Sequence, residues 1–319
     1  MTIAPINGDT AAALGLTPTQ LPLFLREEWK AIVGEGYERI GIFNKDGQAM
    51  AAFNLQRSRR AGLKLLSHPA FNQHCGLWRK RQASNPAKAV GEAKKLHAAL
   101  AEYVLAQDGM IHIAFPPEET DLQPWAWSGF KVVAQWTYRL ELALGLDPIR
   151  AGYEAEQRNG IKKSRSNGAE PVFTLDRERV MACVRSTFAR KGKGLDEHFA
   201  SAMMSAFLKE GSGFAYVTTE NGHDSAAAFC AHDGTIAYYL LGGVDKSRAS
   251  GGAGAMAVDA CIAHAHGLGL RVFDFEGSML PEVERYFRTF GGTPVPYFTV
   301  NRAPFLTEVA LKKKLRHLF

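Results

Sequence analysis

Residues 271–291 hold the densest group of side chains able to do chemistry. The run Arg-Val-Phe-Asp-Phe-Glu-Gly-Ser reads as a short strand, Val272 to Phe275, with Asp274 and Glu276 at its end. A tight turn at Gly277 and Ser278 leads into a short helix over 282–289 that carries Arg285, Tyr286, Phe287 and Arg288. Loops that leave a rigid sheet are where reactive groups are commonly placed. Paired carboxylates can take and return protons, and arginine binds carboxylate or phosphate as a fork. Two acids beside a strand end and two arginines one helix away suggest a site that handles both an amine and an anion.

The elements that must position these residues are most legible in the second half. The pattern predicts a strand at 171–175, a helix at 178–190 and a second helix at 196–209. Strands follow at 214–219, 225–232 and 236–241, joined by Asn221-Gly222 and Asp233-Gly234, both strong hairpin dipeptides. A Gly-rich loop at 251–254 opens a helix to Gly267, and a strand, a short helix and a last strand at 295–301 complete the series. The helix between the strands ending near Leu241 and starting near Arg271 is a crossover, so those strands should be parallel.

The first half repeats the later part of that order more loosely. It has a helix at 21–33, a hairpin over 39–55 with Asp46-Gly47 at its tip, a strand at 63–67 and a long loop to Gly76. A helix at 88–107, a strand at 110–115, a short turn at 124–128 and a strand at 131–142 follow. The reading is an α/β chain with mixed α+β sheets: an N-terminal domain over 1–147, a C-terminal domain over 148–302, and a helix within 303–319 that could dock on the first domain. Their common order implies two copies of one unit with a cleft between them.

The 319 residues are 46% hydrophobic and 22% charged, the composition of a globular protein rather than a disordered one. The formal net charge of +6 and pI near 9.1 favour an anionic partner, and also suit a basic protein with scattered surface lysines. Cys75, Cys183, Cys230 and Cys261 show neither C-x-x-C spacing nor a zinc pattern. Few scattered thiols, no basic-then-apolar leader and no apolar run of membrane-spanning length together imply a cytoplasmic protein without a metal.

The element order resembles the GNAT acyltransferase fold, and two such units in one chain resemble its FemAB-like branch. The resemblance spans most of the chain. It rests on the segment from Trp127 to Leu142, on Arg158-Asn-Gly-Ile161-Lys-Lys163, which resembles the family's Arg-x-x-Ile-x-Lys helix, and on Phe287-Arg288-Thr-Phe290-Gly291. Arg288 stands where aminoacyl-transferring members have lysine, so it can hold an anion but cannot be a general base.

The resemblance implies transfer of an acyl or aminoacyl group to an amine on a small molecule or peptide. The donor would be acyl-CoA, slightly favoured, or aminoacyl-tRNA. Arg248-Ala-Ser-Gly251-Gly252-Ala253, with Gly254, fits the R-x-x-G-x-A loop that cradles the acyl-CoA diphosphate in GNAT enzymes. Backbone N–H groups at a helix N-terminus attract anions, though such loops are also ordinary turns. Glu276 or Asp274 could accept the amine proton; Asp274 could equally be a turn or helix-capping acid, and Glu276 a surface partner of Arg285. Backbone N–H groups over Leu241, Gly242 and Gly243 could face the carbonyl, and Tyr239, Tyr286 or Tyr297 could protonate the leaving group. His68, Asn72, Gln73 and His74 fall where relatives have an acceptor loop. Basic runs at 57–60, 79–81, 162–165 and 312–314 could meet tRNA. A FemAB-type ligase acting on a cell-wall precursor and a non-catalytic binding module are the alternatives.

Overall fold

A computed structural model describes residues 1–60, 62–80, 84–192, 194–209, 211–277 and 279–314. The chain divides into two compact units, Met1–Gln135 with Pro296–Phe319, and Trp136–Val295.

The first unit contains β1 (Thr2–Pro5), α1 (Thr10–Leu14), α2 (Glu28–Val33), β2 (Tyr37–Phe43), β3 (Ala49–Arg60), β4 (Leu63–Ser67), β5 (Trp78–Arg79), α3 (Pro86–Leu105), β6 (Met110–Ala114) and α4 (Gln123–Trp127). The next strand, β7 (Lys131–Glu141), begins in this unit and ends in the second. Strands pair in the order β1-β2-β3-β4-β6, with β5 also on β3. All these pairs are antiparallel except β4 with β6. α3 starts at Pro86 behind the Asn85 cap, whose side chain accepts the Lys88 N–H. It buries Leu96, Leu100, Ala101 and Val104 in a core with Phe53, Phe115, Trp125 and Phe130.

The helix expected at 21–33 is interrupted. Leu23–Leu25 form a single 3-10 turn and Arg26 is extended before α2 begins. Trp29 Nε1 donates to the Leu23 carbonyl across that break, and Leu23, Phe24, Leu25 and Trp29 are all buried. Burial of three successive apolar residues, Leu23, Phe24 and Leu25, overrides the one-faced helical pattern.

The second unit contains α5 (Leu146–Ala151), α6 (Ala155–Ser166), β8 (Glu170–Thr174), α7 (Arg177–Lys191), α8 (Glu197–Lys209), β9 (Gly213–Glu220), β10 (His223–His232), β11 (Ile236–Val244), α9 (Ala253–Gly267), β12 (Val272–Asp274) and α10 (Pro281–Arg288). Its strands run β8-β9-β10-β11-β12, and β12 pairs antiparallel with residues 139–141 of β7. Asn221 and Gly222 both have positive φ, at 50° and 78°, as a tight hairpin turn needs. β11 and β12 are parallel, as the crossover requires. α9 buries Ala255, Met256, Val258, Cys261, Ile262 and Ala265 against the sheet, in one core with Phe214, Phe273 and Phe275.

The last strand, β13 (Thr293–Arg302), starts in the second unit and finishes in the first, where residues 299–302 pair with β6. α11 (Phe305–Lys314) follows and belongs to the first unit, with Phe305 and Leu306 exposed. The remainder of the helix expected to Leu318 lies outside the described residues, as do Arg81 and Ser278. No helix among the described residues is long and apolar enough to cross a membrane.

Candidate active site

β11 and β12 part company in the second unit. Their parallel register runs Ile236↔Val272, Ala237↔Phe273 and Tyr238↔Asp274, and there β12 ends. β11 continues to Val244, paired with β10 through a one-residue irregularity: Phe229 faces Leu241 while Cys230 faces Tyr239, so Leu240 is extra. A bulge bends and twists its strand. Placed two residues past the last β12 pair, it turns β11 away and leaves a fork.

Aromatic rings line the fork. Tyr239 stands edge-on to Phe287 at 5.8 Å, Phe275 lies 5.0 Å from Phe287 and 5.5 Å from Phe290, and Tyr286 is 5.3 Å from Phe290. The Tyr239 hydroxyl lies over Gly242, where a Cβ would collide with it. Gly243 has the same restriction for a different reason, since a Cβ there would strike the Cys183 carbonyl of α7. The Tyr286 hydroxyl sits 3.5 Å from where a Gly254 Cβ would be, at the first turn of α9. Burial raises the hydroxyl pKa of both tyrosines, so both are proton donors.

The two acids have different surroundings. Asp274 is 0% exposed and fully engaged. Its Oδ1 accepts from Thr137 Oγ1 at 2.5 Å and from the Glu276 N–H at 2.8 Å, and its Oδ2 accepts from Arg139 Nε at 2.6 Å. It is an anchor for the turn that follows β12. Glu276 is held in the left-handed region at φ 70°, unusual for a residue with a side chain. Its Oε1 is sealed from solvent and has no hydrogen-bond partner among the described residues. Desolvation, and then the negative charge of Asp274, push its carboxyl well above the usual range. Backbone strain and a stranded carboxyl together are the profile of a group kept for proton transfer.

The arginines of α10 lie outside this group. Arg288 is half-exposed and makes ion pairs with Glu154 at 2.8 Å and Glu284 at 3.1 Å. Those carboxylates occupy the guanidinium expected to hold an anion. Arg285 is exposed. Phe287 is buried in the fork lining.

The Gly-rich loop before α9 is largely occupied by the chain itself. The Ser250 N–H donates to the Glu220 carboxylate at 3.0 Å, the Ala253 N–H to Ser250 O at 3.2 Å, and the Arg248 and Ala249 N–H groups to Asp245 O at 3.0 and 2.8 Å. Gly252 abuts the Gly160 carbonyl of α6, where a Cβ would collide, and Ser164 Oγ meets Ser250 Oγ at 2.5 Å. Helix α6 thus covers Gly252, and a carboxylate stands on the loop. Gly251 is exposed, and Arg248 pairs weakly with Asp245 at 3.6 Å.

α6 also borders a groove of about 330 Å³ lined by Arg158, Lys162, Arg165 and Tyr153, with Arg150 bound to Asp259 through two 2.9 Å hydrogen bonds. Asp259 also lines the groove and is taken by Arg150, and Lys162 and Arg165 make no ion pair among the described residues. Three cations at helical spacing 158, 162 and 165 share one face.

His68, Asn72, Gln73 and His74 are all in the first unit, in the loop between β4 and β5. His68 Nδ1 accepts the Ala114 N–H at 3.1 Å, and burial together with the neighbouring His112 lowers its pKa to about 3. His74 Nδ1 accepts the Gly76 N–H at 3.0 Å, and its ring packs edge-on against Phe24. Among the described residues no cluster of three His, Cys, Asp or Glu side chains could hold a metal. Thr137, Arg139, Glu220 and Leu240 were not singled out from the sequence. Arg139, a charge inside a strand, was the one signal available.

Residues 155–288 match the family model of an acetyltransferase (GNAT) domain. The chain carries a GNAT acyltransferase domain. Three solved structures extend the likeness over nearly the whole chain. FemX has 12% identity and a TM-score of 0.66, covering 99% of this chain and 100% of its own. L-PGS from Bacillus licheniformis has 11% identity and a TM-score of 0.52, covering 97% and 98%. A tandem GNAT protein from the clavulanic acid biosynthesis pathway has 10% identity and a TM-score of 0.51, covering 95% and 98%. At these identities the likeness is one of fold, a FemAB-like double GNAT fold. No curated protein matched the sequence.

Proposed function

We propose that this acyltransferase moves an aminoacyl group from an RNA-borne ester to an amine, with the chemistry in the fork between β11 and β12. Glu276 carries this reading: a carboxyl with one oxygen unpartnered among the described residues, on a left-handed residue two positions past the last β11–β12 pair. Once ionised, it takes a proton from the acceptor amine, whose nitrogen attacks the ester carbonyl. The tetrahedral intermediate collapses, the ester C–O bond breaks, and Tyr239 or Tyr286 delivers a proton to the departing hydroxyl oxygen. The new amide remains on the acceptor. Asp274 and Arg139 fix the turn that presents Glu276.

The choice of donor follows from α6. Its backbone lies on Gly252 and the Glu220 carboxylate holds the Ser250 N–H, so a diphosphate would meet a like charge and a blocked loop. The same helix presents Arg158, Lys162 and Arg165 to its groove, which suits a phosphodiester backbone. The second reading, an acyl-CoA donor, is favoured by the pattern of Arg248, Gly251 and Ala253. A transfer assay decides between them. Activity with aminoacyl-tRNA should vanish on ribonuclease treatment, and millimolar CoA should leave the melting temperature unchanged. Ribonuclease-resistant turnover with stabilisation by CoA would overturn the RNA donor. Full turnover by Glu276→Gln would overturn the catalytic base.

A further inference from the structure

We propose that a cavity of about 480 Å³ in the first unit binds a small carboxylate with an apolar body, and that Arg79 is the group that holds it. The volume lies within the range of small-molecule pockets, about 300–1,000 Å³. The walls come from β5, the flank of α3 and the loop that follows β6. The lining residues lie between Met1 and Asp121, so the site does not depend on the transfer chemistry proposed for the second unit.

A chain of hydrogen bonds through four segments fixes the direction of one guanidinium. Trp125 Nε1 of α4 can only donate, so His97 Nδ1 of α3 accepts from it at 3.1 Å and the ring proton is on Nε2. His97 Nε2 then donates to Glu119 Oε2 at 2.9 Å, and Glu119 Oε1 accepts from Arg79 Nε of β5 at 2.7 Å. Trp125, His97 and Glu119 are all buried. Burial alone would raise the Glu119 carboxyl pKa, but the bonds from His97 and Arg79 outweigh it and lower that pKa.

This pairing differs from two others in the molecule. Arg150 on Asp259 and Arg179 on Asp224 each engage both carboxylate oxygens through Nε and Nη2. Arg79 gives Glu119 only its Nε, because His97 holds the second oxygen. The two terminal nitrogens of Arg79 make no hydrogen bond among the described residues, and its side chain, 23% exposed, lies on the cavity wall. Paired N–H groups of a guanidinium match the two oxygens of a carboxylate.

Lys80 and Lys95 stand on the same wall and make no ion pair among the described residues. Met50, Val90, Ala93 and Leu96 supply apolar surface beside them, which suits hydrocarbon attached to the carboxylate rather than a bare ion. Glu92, Glu118 and Asp121 also line the cavity, and Lys94 holds Asp121 at 2.6 Å. These acids disfavour a multiply charged anion, and would receive the ammonium group if the carboxylate belongs to an amino acid.

The melting temperature of the full chain tests the site. Sodium 4-methylpentanoate or L-leucine at about 20 mM should raise it by about 2 °C or more, and 4-methylpentanamide or sodium acetate should not. Which of the first two works distinguishes a simple acid from an amino acid. Val90→Trp, at a position 50% exposed on α3, should fill the cavity and abolish the shift without disturbing the core. Arg79→Lys should abolish it by keeping the charge and removing the fork, and Val90→Trp still decides the matter if that variant fails to fold. No shift with either carboxylate, an equal shift with the amide or with acetate, or a shift that survives in either substituted chain would overturn the proposal, whatever the outcome of the transfer assay.

Discussion

Each unit contains a pair of neighbouring parallel strands, β4 with β6 and β11 with β12, and the two pairs end differently. In the first unit β4 and β6 are in register to Ser67↔His112, and in the second β11 and β12 to Tyr238↔Asp274. His112 and Asp274 therefore hold the same position, the last residue of a parallel pair. Each is also bonded to the strand on its other side. His112 Nδ1 donates to Asn301 Oδ1 of β13 at 2.6 Å, and Asp274 Oδ2 accepts from Arg139 of β7.

The chain beyond that point makes the difference. In the first unit Cys75 closes the gap, bonding through its backbone to Ala114 and Asn54, while His68 caps the Ala114 N–H. In the second, no segment does this among the described residues. β11 bulges at Leu240, and the fork holds aromatic rings and the strained Glu276. The sealed fork uses neutral groups, and the open one uses an ionised clamp beside a carboxyl that resists ionisation. One architecture thus gives a packed seam and a reactive notch, depending on whether backbone hydrogen bonds are completed after the last pair.

The sharpest way to break this contrast is Glu276→Gln. If the second fork is the reactive one, kcat/KM should fall by about 10²–10⁴-fold with the circular dichroism spectrum unchanged. The pH behaviour adds a sign. The Glu276 carboxyl is held above the ordinary glutamate value of about 4.3, so the folded chain binds this proton more tightly than the unfolded one. The stability it contributes is complete below about pH 4.3 and is lost as pH climbs through the raised value. The Gln variant, always neutral, should therefore melt above the wild type by a margin that grows with pH. Wild-type activity should rise over the same interval as the base ionises.

The clamps should differ as a charged pair differs from a neutral one. Asp274→Asn leaves the Arg139 guanidinium buried without its counter-ion and should cost about 3–5 kcal/mol in urea denaturation. Asn301→Ala removes a neutral bond to His112 and should cost about 1–3 kcal/mol. Equal losses would mean that the two clamps are equivalent.

The smallest effect concerns acid. His68 titrates near 3 in the folded chain and near 6.5 when unfolded, so between those values the unfolded state binds more protons. Stability from the sealed fork should be complete above about pH 6.5 and fall steadily toward pH 3. His68→Gln should flatten that decline, as read from melting temperatures across the interval.

Much of the second unit was legible in the sequence because its signals are local. Asn221-Gly222 specifies a turn through positive φ, and the Ala-rich run to Gly267 specifies a helix apolar on most sides. The crossover between β11 and β12 followed from the length of chain between them. The interrupted helix near Pro22 was missed because burial, rather than periodicity, sets it, and the short β1 because it is held by pairing with β2 rather than by a pattern of its own. Asp274 and Glu276 were visible as a pair, but their different states were not. Asp274 is neutralised by Arg139, which lies 135 residues away in the chain. Arg288 was expected to hold an anion, and the Glu154 carboxylate, 134 residues distant, is already paired with it.

By itself the sequence determined most of the order of strands, helices and turns in the second unit, and the presence of acids, tyrosines and a glycine loop near one strand end. Those features depend on backbone preferences and spacing over a few residues. Only the tertiary structure decided which acid is anchored and which is stranded, that α6 lies across Gly252, and that β7 and β13 each supply strand ends to both units. Desolvation and ion pairing depend on neighbours brought together from distant parts of the chain, and local spacing does not encode them.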